Sequence, residues 1–169
     1  INEDVAKVPI GSRRLIYLPY LMGERTPHLN PNCRGVFFGL SAIHTKADML
    51  RAVMEGVSYS LLDCFDILRE MKINVKEMMA CGGGGKSRIW RQMLADMYGC
   101  EVKTIKAQEG PALGVAILAG VGAGIFPDVQ TACKDFIEQD TWCQPDAAAH
   151  AYYEKGHALY QKLYRQLKD

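Results

Sequence analysis

Four consecutive glycines, Gly82 to Gly85, most constrain what this chain can fold into. They follow a short apolar run that ends at Cys81, and they precede an amphipathic segment that begins near Ser87. A glycine inside a helix costs about 1 kcal/mol relative to alanine, so four in a row are expected where the backbone takes unusual dihedral angles or approaches another group closely. The pattern therefore predicts a strand, a glycine loop and a helix in succession.

The residues of the glycine loop leave three interpretations open. Ser87 is a favourable N-cap, and the free N–H groups at the start of the helix after it favour a phosphate or another polar ligand group. Alternatively, the glycines only let the strand and the helix pack closely. Ala80 to Ser87 also nearly matches the P-loop pattern, with Lys86 as its lysine and an alanine in place of the first glycine. A P-loop enzyme further needs an acidic residue at the end of a second apolar strand, and no convincing strand of this kind follows.

A long amphipathic helix is predicted from Thr45 onward. Thr45 and Asp48 match a capping box at its start. Apolar residues at three- or four-residue spacing then define one face, which we expect to be buried. This face consists of Leu50, Val53, Val57, Leu61, Phe65, Leu68 and Met71.

The segments around this helix complete an α/β pattern. Prolines and glycines interrupt the first ~35 residues, which are expected to be largely irregular. Two strand-to-helix units follow, the first through the glycine loop and the second with a strand at about 101–105 and a helix opened by Gly110 and Pro111. Residues 111–126 are the least polar stretch, too short for a membrane span and predicted to form a buried helix. We expect one α/β domain over residues 1–169.

Composition argues against several classes of protein. The net charge is +1 with both signs interspersed, which does not favour a nucleic-acid-binding face. The six cysteines form no C-x-x-C pair and no cluster at zinc-ligand spacing, which predicts reduced thiols in a cytoplasmic protein. No secretory signal follows Ile1. We therefore expect a small-molecule ligand, and neither nucleic acid, nor membrane, nor a metal site in this chain.

Several motifs together resemble one family, the FGGY carbohydrate kinases. The segments that carry the resemblance are 35–40 with 48–55, 82–87 with 90–96, and 110–116. They are similar, in this order, to the family's carboxy-terminal pattern, to its adenosine-binding loop with the following helix, and to its next glycine-containing helix. The resemblance implies a ribonuclease-H-like lobe of the actin, sugar-kinase and Hsp70 fold, with a mixed sheet flanked by helices. It covers nearly the whole chain but only the second half of a typical member.

The resemblance also implies which residues meet ATP or ADP. These residues lie in the glycine loop and at the start of the next helix: Gly82, Gly83, Gly84, Gly85, Ser87 and Arg88. The glycines would let adenosine lie against the backbone, and the two residues after them would contact adenine or ribose. An N-cap role alone explains Ser87 equally well. Trp90 is expected to anchor its helix in the core rather than to stack on adenine.

Other residues of the matched motifs have less specific expectations. Glu24, Arg25 and His28 lie in a proline-punctuated loop and are candidate cleft residues. A structural ion pair is the alternative for Glu24 and Arg25, and a surface hydrogen bond is the alternative for His28. Glu55 lies off the predicted apolar face of the long helix, so a structural contact or a contact between lobes is expected for it.

The reaction follows from the same resemblance. The segments 18–21 and 23–28 are most similar to members that phosphorylate D-xylulose with ATP and Mg²⁺, giving D-xylulose 5-phosphate. Alternatives are L-xylulose, L-ribulose, gluconate or glycerol as the acceptor, or a P-loop-type nucleotide-binding module. The family's general-base aspartate and most of its sugar contacts belong to the amino-terminal lobe. We therefore assign no catalytic residue, expect the isolated lobe to be inactive without its amino-terminal lobe, and regard a homodimer as a further candidate assembly.

Overall fold

The computed structural model describes residues 2–106 and 110–168. Its helices are α1 (Asn2–Ala6), α2 (Lys46–Glu70), α3 (Gly82–Lys86), α4 (Arg88–Tyr98), α5 (Gly110–Gly122), α6 (Val129–Phe136) and α7 (Ala147–Leu167). Its strands are β1 (Ile16–Leu18), β2 (Val36–Phe38), β3 (Glu77–Met79), β4 (Glu101–Ile105) and β5 (Gln139–Cys143).

The long helix α2 begins where its capping box predicts. Thr45 precedes it in an extended conformation, and its hydroxyl accepts a hydrogen bond from the Asp48 N–H at 3.4 Å. The Asp48 carboxylate accepts the Thr45 N–H at 2.8 Å in return. These reciprocal bonds satisfy donors that the first turn of a helix would otherwise leave free, which explains the sharp start.

The buried face of α2 differs from the predicted one. Leu61 is 48% exposed, and Leu68 and Met71 are exposed as well, whereas Phe65 is buried as predicted. The face that packs against the protein includes five buried polar or charged residues: Asp48, Arg51, Glu55, Ser58 and Asp63. Spacing of apolar residues misidentified this face because charged side chains can be buried once they are paired and hydrogen-bonded.

The strands form two separate sheets. β1 and β2 pair antiparallel, with Tyr17 opposite Phe37. The larger sheet has the order β3-β4-β5, in which β3 and β4 are parallel and β4 and β5 are antiparallel. Helix α4 packs on this sheet and also contacts α2 and α7. The main core lies between these helices and includes the fully buried rings of Tyr20, Tyr153 and Tyr160.

Helix α5 is not buried, contrary to the prediction from its apolar sequence. Val115 is 67% and Leu118 is 61% exposed, although Ile117 is buried. Its packing partner is α6, and Gly120 permits close approach to the ring of Phe126. High apolar content therefore did not guarantee burial within this chain. Within residues 2–106 and 110–168, no helix combines the length and the apolar character needed to cross a membrane.

Candidate functional site

The glycine segment is a turn of helix rather than the predicted loop. Cys81 is extended, Gly82 takes a left-handed conformation with φ of 69°, and residues Gly82–Lys86 form α3. The positive φ at Gly82, which only glycine adopts freely, redirects the chain after the strand so that the following glycines continue as a helical turn. Ser87 then caps α4 as predicted, because its hydroxyl accepts the Trp90 N–H at 3.4 Å. We call Gly82–Lys86 the glycine turn.

The surroundings of the four glycines differ, so the requirement for glycine differs from one position to the next. A Cβ on Gly85 would lie 2.8 Å from the Ala80 carbonyl oxygen, so close packing explains this glycine. Gly84 faces the Trp90 ring, and a Cβ there would lie 3.5 Å from the indole. A Cβ on Gly82 or Gly83 would meet no atom within 4 Å, and both residues are exposed. Gly82 and Gly83 therefore leave their backbone open to solvent, whereas Gly85 serves packing.

Two side chains of α4 hold the glycine turn in place. The Arg91 guanidinium donates to the Gly85 carbonyl at 2.5 Å, and Arg91 is only 8% exposed. The Trp90 indole N–H donates to the hydroxyl of Ser58 on α2 at 2.9 Å, and the ring packs against the main core, as predicted for an anchor. Sequence reasoning missed Arg91 and Ser58. The sequence does place Arg91 one helical turn after the Ser87 cap, and side chains of a helix tilt towards its N-terminus, where the glycines lie.

An apolar cleft of about 620 Å³ opens beside the glycine turn. Gly84, Gly85 and Trp90 form one side of it, and β3 with the two residues after it forms another. The third side is formed by α2, through Val57, Leu61, Phe65 and Leu68 of the face that was predicted to be buried, together with Cys64. The exposed residues Leu61 and Leu68 therefore face this cleft rather than a filled core.

The geometry does not form a P-loop. In that motif, backbone N–H groups of a loop surround the phosphates and the lysine reaches them. Here residues Gly82–Lys86 are helical, and the side chain of Lys86 is exposed and makes no hydrogen bond or ion pair with any described residue. Arg88 is likewise exposed at the first position of α4. Two exposed cations therefore lie at the end of the turn and at the start of the next helix.

The predicted cleft loop is fastened to α2 and α7. Glu24 accepts the Thr26 N–H at 2.8 Å. Arg25 is exposed, and neither Glu24 nor Arg25 makes an ion pair with any described residue. His28 stacks on the ring of Tyr164 with centroids 3.6 Å apart, and its Nε2 lies 3.2 Å from the Tyr20 hydroxyl. Burial lowers the pKa of His28, which favours its neutral form in these contacts.

The predicted cleft loop contacts α2, and the glycine turn lines the same apolar cleft as α2. Cys64 on α2 donates to the Thr26 carbonyl at 3.4 Å and also lines the apolar cleft. In the described part of the chain, no hydrogen bond or ion pair joins residues 23–28 to the glycine turn. Nor do the described residues include a group of three or more His, Cys, Asp or Glu side chains placed to hold a metal ion.

Comparisons with known proteins agree with the motifs. Residues 3–123 match the model of the C-terminal domain of the FGGY family of carbohydrate kinases. The chain is 42% identical over 164 residues to a xylulose kinase of Staphylococcus epidermidis. The aligned region covers 97% of this chain and 33% of that protein.

Solved structures show the same relationship. A xylulose kinase from Lactobacillus acidophilus matches with a TM-score of 0.86 and 34% sequence identity. The match covers 98% of this chain and 34% of the chain of that kinase. A gluconate kinase from the same organism has a TM-score of 0.88 at 34% identity, with the same two shares. The chain thus spans about a third of the length of these relatives. These similarities confirm the predicted fold class, an actin-like sugar-kinase lobe with a mixed sheet flanked by helices.

Proposed function

The chain belongs to the FGGY family of carbohydrate kinases, and on that premise we propose that it is the carboxy-terminal, nucleotide-binding lobe of a kinase that phosphorylates D-xylulose. The reaction transfers the γ-phosphoryl group of ATP to the sugar and gives D-xylulose 5-phosphate. The observation that carries the proposal is the open backbone of the glycine turn, which lies within the segment that matches the family. The similarity to xylulose kinases supports the choice of sugar.

We place the adenosine end of ATP against Gly82 and Gly83. Their backbone is accessible without any side chain, and Arg88 on the same segment is free to contact the ligand. The start of α4 adds the positive end of a helix dipole, which favours polar and anionic groups. Ser87 accepts the Trp90 N–H, but its hydroxyl keeps one hydrogen to donate to an acceptor on adenine or ribose.

Within this reaction the described residues bind and orient the nucleotide. Phosphoryl transfer depends mainly on positioning and charge neutralisation. Since the described residues contain no cluster for a metal ion, we assign any Mg²⁺ to the phosphates of ATP and to residues outside this chain. Arg25, whose guanidinium makes no hydrogen bond within the described residues, is available for the sugar or a phosphate. The general base and most sugar contacts belong to the rest of the enzyme, so we expect this chain alone to be inactive.

Two apolar surfaces support a partner lobe from the same enzyme. The exposed side of α5 carries Val115 and Leu118, and the α2 wall of the cleft carries Leu61; exposed apolar surface of this kind is typical of interaction sites. Relatives of this chain are about three times as long, which supplies enough polypeptide to cover both surfaces. A cytoplasmic location fits the unpaired cysteines. A homodimer stays a prediction without a supporting contact.

A coupled assay of ADP release by the complete kinase containing this chain tests the proposal. We expect the highest kcat/KM with D-xylulose among D-xylulose, L-xylulose, L-ribulose, gluconate and glycerol. The similarity to a gluconate kinase makes gluconate the second candidate. Activity with gluconate alone would overturn the assignment of D-xylulose as the acceptor but not the assignment of the protein as a kinase. No ADP release with any of these acceptors would overturn the kinase itself.

A further inference from the structure

A second cavity, of about 280 Å³, lies between α2, α7 and β1. It is separate from the proposed nucleotide site, because it shares no lining residue with the cleft beside the glycine turn. Glycines bring its walls together. A Cβ on Gly56 would lie 2.1 Å from the Tyr17 carbonyl oxygen, and a Cβ on Gly156 would lie 2.1 Å from the Tyr59 hydroxyl. Both glycines are therefore required for the close approach of β1 and α7 to α2.

The walls of this cavity are mainly aromatic and aliphatic. Tyr17, Phe38 and Tyr152 contribute rings, and Ile16 and Leu159 contribute aliphatic side chains. Phe38, Tyr152 and Leu159 are all partly exposed, so the cavity is open to solvent. A pocket of this kind, apolar with a few polar groups, is the usual form of a small-molecule site, although its volume limits the ligand to a compact one.

Two cations without a partner also line the cavity. Neither Arg14 nor Lys155 makes a side-chain hydrogen bond or an ion pair with any described residue. Glu55 is the acidic residue among the lining side chains, and its charge is already compensated. Its carboxylate accepts hydrogen bonds from the Gly11 N–H at 2.8 Å and from the buried guanidinium of Arg51 at 2.9 Å. The cavity therefore presents uncompensated positive charge beside an apolar surface.

The backbone that carries Arg14 is strained. Ser12, Arg13 and Arg14 have φ values of 46°, 52° and 72°, a left-handed conformation that costs about 1–2 kcal/mol for each residue other than glycine. Two buried carboxylates of α2 hold this turn. Glu55 accepts the Ser12 hydroxyl at 2.7 Å, and Asp48 pairs with Arg13 at 3.1 Å. Strain that the surroundings enforce in this way is concentrated at ligand clamps and other functional positions.

We propose that this cavity binds a small organic carboxylate with a compact aromatic body. Arg14 and Lys155 hold the carboxylate, since charge-assisted hydrogen bonds to a carboxylate are the strong ones available to such side chains. The ring of the ligand packs against Tyr17, Phe38 and Tyr152, where burial of apolar surface adds affinity. The acidic residues of the family pattern, Asp48 and Glu55, support the site by holding the turn that presents Arg14.

Benzoate is a suitable probe for this site, and benzamide is its neutral counterpart of the same shape. Titration of the ¹⁵N-labelled 169-residue chain with benzoate should produce saturable shifts at the amides of Gly11, Gly56 and Gly156. Benzamide and inorganic phosphate should each bind at least about tenfold more weakly, because one lacks the charge and the other lacks the apolar body.

Variants separate loss of the site from loss of the fold. Arg14→Gly removes the guanidinium at a position whose φ glycine adopts without strain, so the turn is retained while benzoate affinity should fall about tenfold. Lys155→Gln should weaken benzoate similarly, whereas Lys162→Gln, exposed on the same helix and outside the cavity, should not. Equal affinities for benzoate and benzamide, unchanged benzoate affinity in folded Arg14→Gly and Lys155→Gln, or no saturable shift in the folded chain would each overturn the proposal.

Discussion

Alanine at Gly85 and alanine at Gly83 should have opposite effects on stability, although both glycines lie in the same turn of helix. At Gly85 the new Cβ would lie 2.8 Å from the Ala80 oxygen and 2.9 Å from its carbonyl carbon, and both are backbone atoms. Overpacking of this kind costs about 1–3 kcal/mol, whereas alanine normally gains about 0.5–1 kcal/mol over glycine in a helix. A net loss of about 1–2 kcal/mol remains for Gly85→Ala.

Gly83→Ala is the matched control, because a Cβ there meets nothing within 4 Å. Its free energy of unfolding should rise by about 0.5–1 kcal/mol, as for an ordinary glycine in a helix. Urea unfolding followed by circular dichroism measures both variants. If Gly85→Ala proved as stable as the parent chain, or if Gly83→Ala proved the less stable of the two, the close packing at Ala80 would not be the reason for Gly85.

Three further changes test the contacts that hold the site and α2. Trp90→Phe removes the hydrogen bond to Ser58 and should lower the free energy of unfolding by about 1 kcal/mol. Adding Ser58→Ala should cost little more, and if urea unfolding showed that the losses of the two single variants simply add, the contact would be contradicted. Glu55→Gln leaves a buried arginine without its counter-charge and should lower the free energy of unfolding by about 3–5 kcal/mol. The control Glu70→Gln, exposed on the same helix, should change it by nearly nothing, and equal urea midpoints for the two variants would refute this. Hydrogen bonds from the threonine N-cap hold the pKa of Asp48 below its ordinary value, so the stability it contributes is present above the unfolded carboxyl pKa of about 4 and is lost as the pH falls through the folded pKa. The free energy of unfolding, measured between neutral and acidic pH, should therefore depend less on pH in Asp48→Asn than in the parent chain. An unchanged dependence on pH would argue against this role of Asp48.

Local signals in the sequence predicted the boundaries of the elements well. The start of α2 follows from Thr45 and Asp48 because a capping box depends only on side chains three residues apart. The cap of α4 at Ser87 and the strand at Glu101–Ile105 are predicted for the same reason, since a polar N-cap and a short strand are local features. The glycine turn was mispredicted as a loop because one left-handed glycine, Gly82, suffices for the change of direction.

Burial could not be predicted from the same signals, because it depends on what covers each surface. The apolar side of α2 lines an open cleft, and the apolar helix α5 exposes Val115 and Leu118. The polar residue Glu55 is 3% exposed because Arg51 and the turn at Gly11 satisfy its carboxylate, and no spacing rule contains those long-range partners. The clamp from Arg91 to the Gly85 carbonyl was missed for a related reason, since it exists only once the glycines are helical.

Calorimetric and NMR titration of the folded 169-residue chain with ADP tests the nucleotide-binding role most directly. We predict a weak, saturable isotherm, because one lobe supplies only one side of the site, with amide shifts at Gly82, Gly83 and Arg88 and a several-fold loss of affinity in Gly83→Ala. A folded chain that binds no ADP, or one whose shifts lie at the cavity near Gly56 and leave the glycine turn unchanged, would contradict the account.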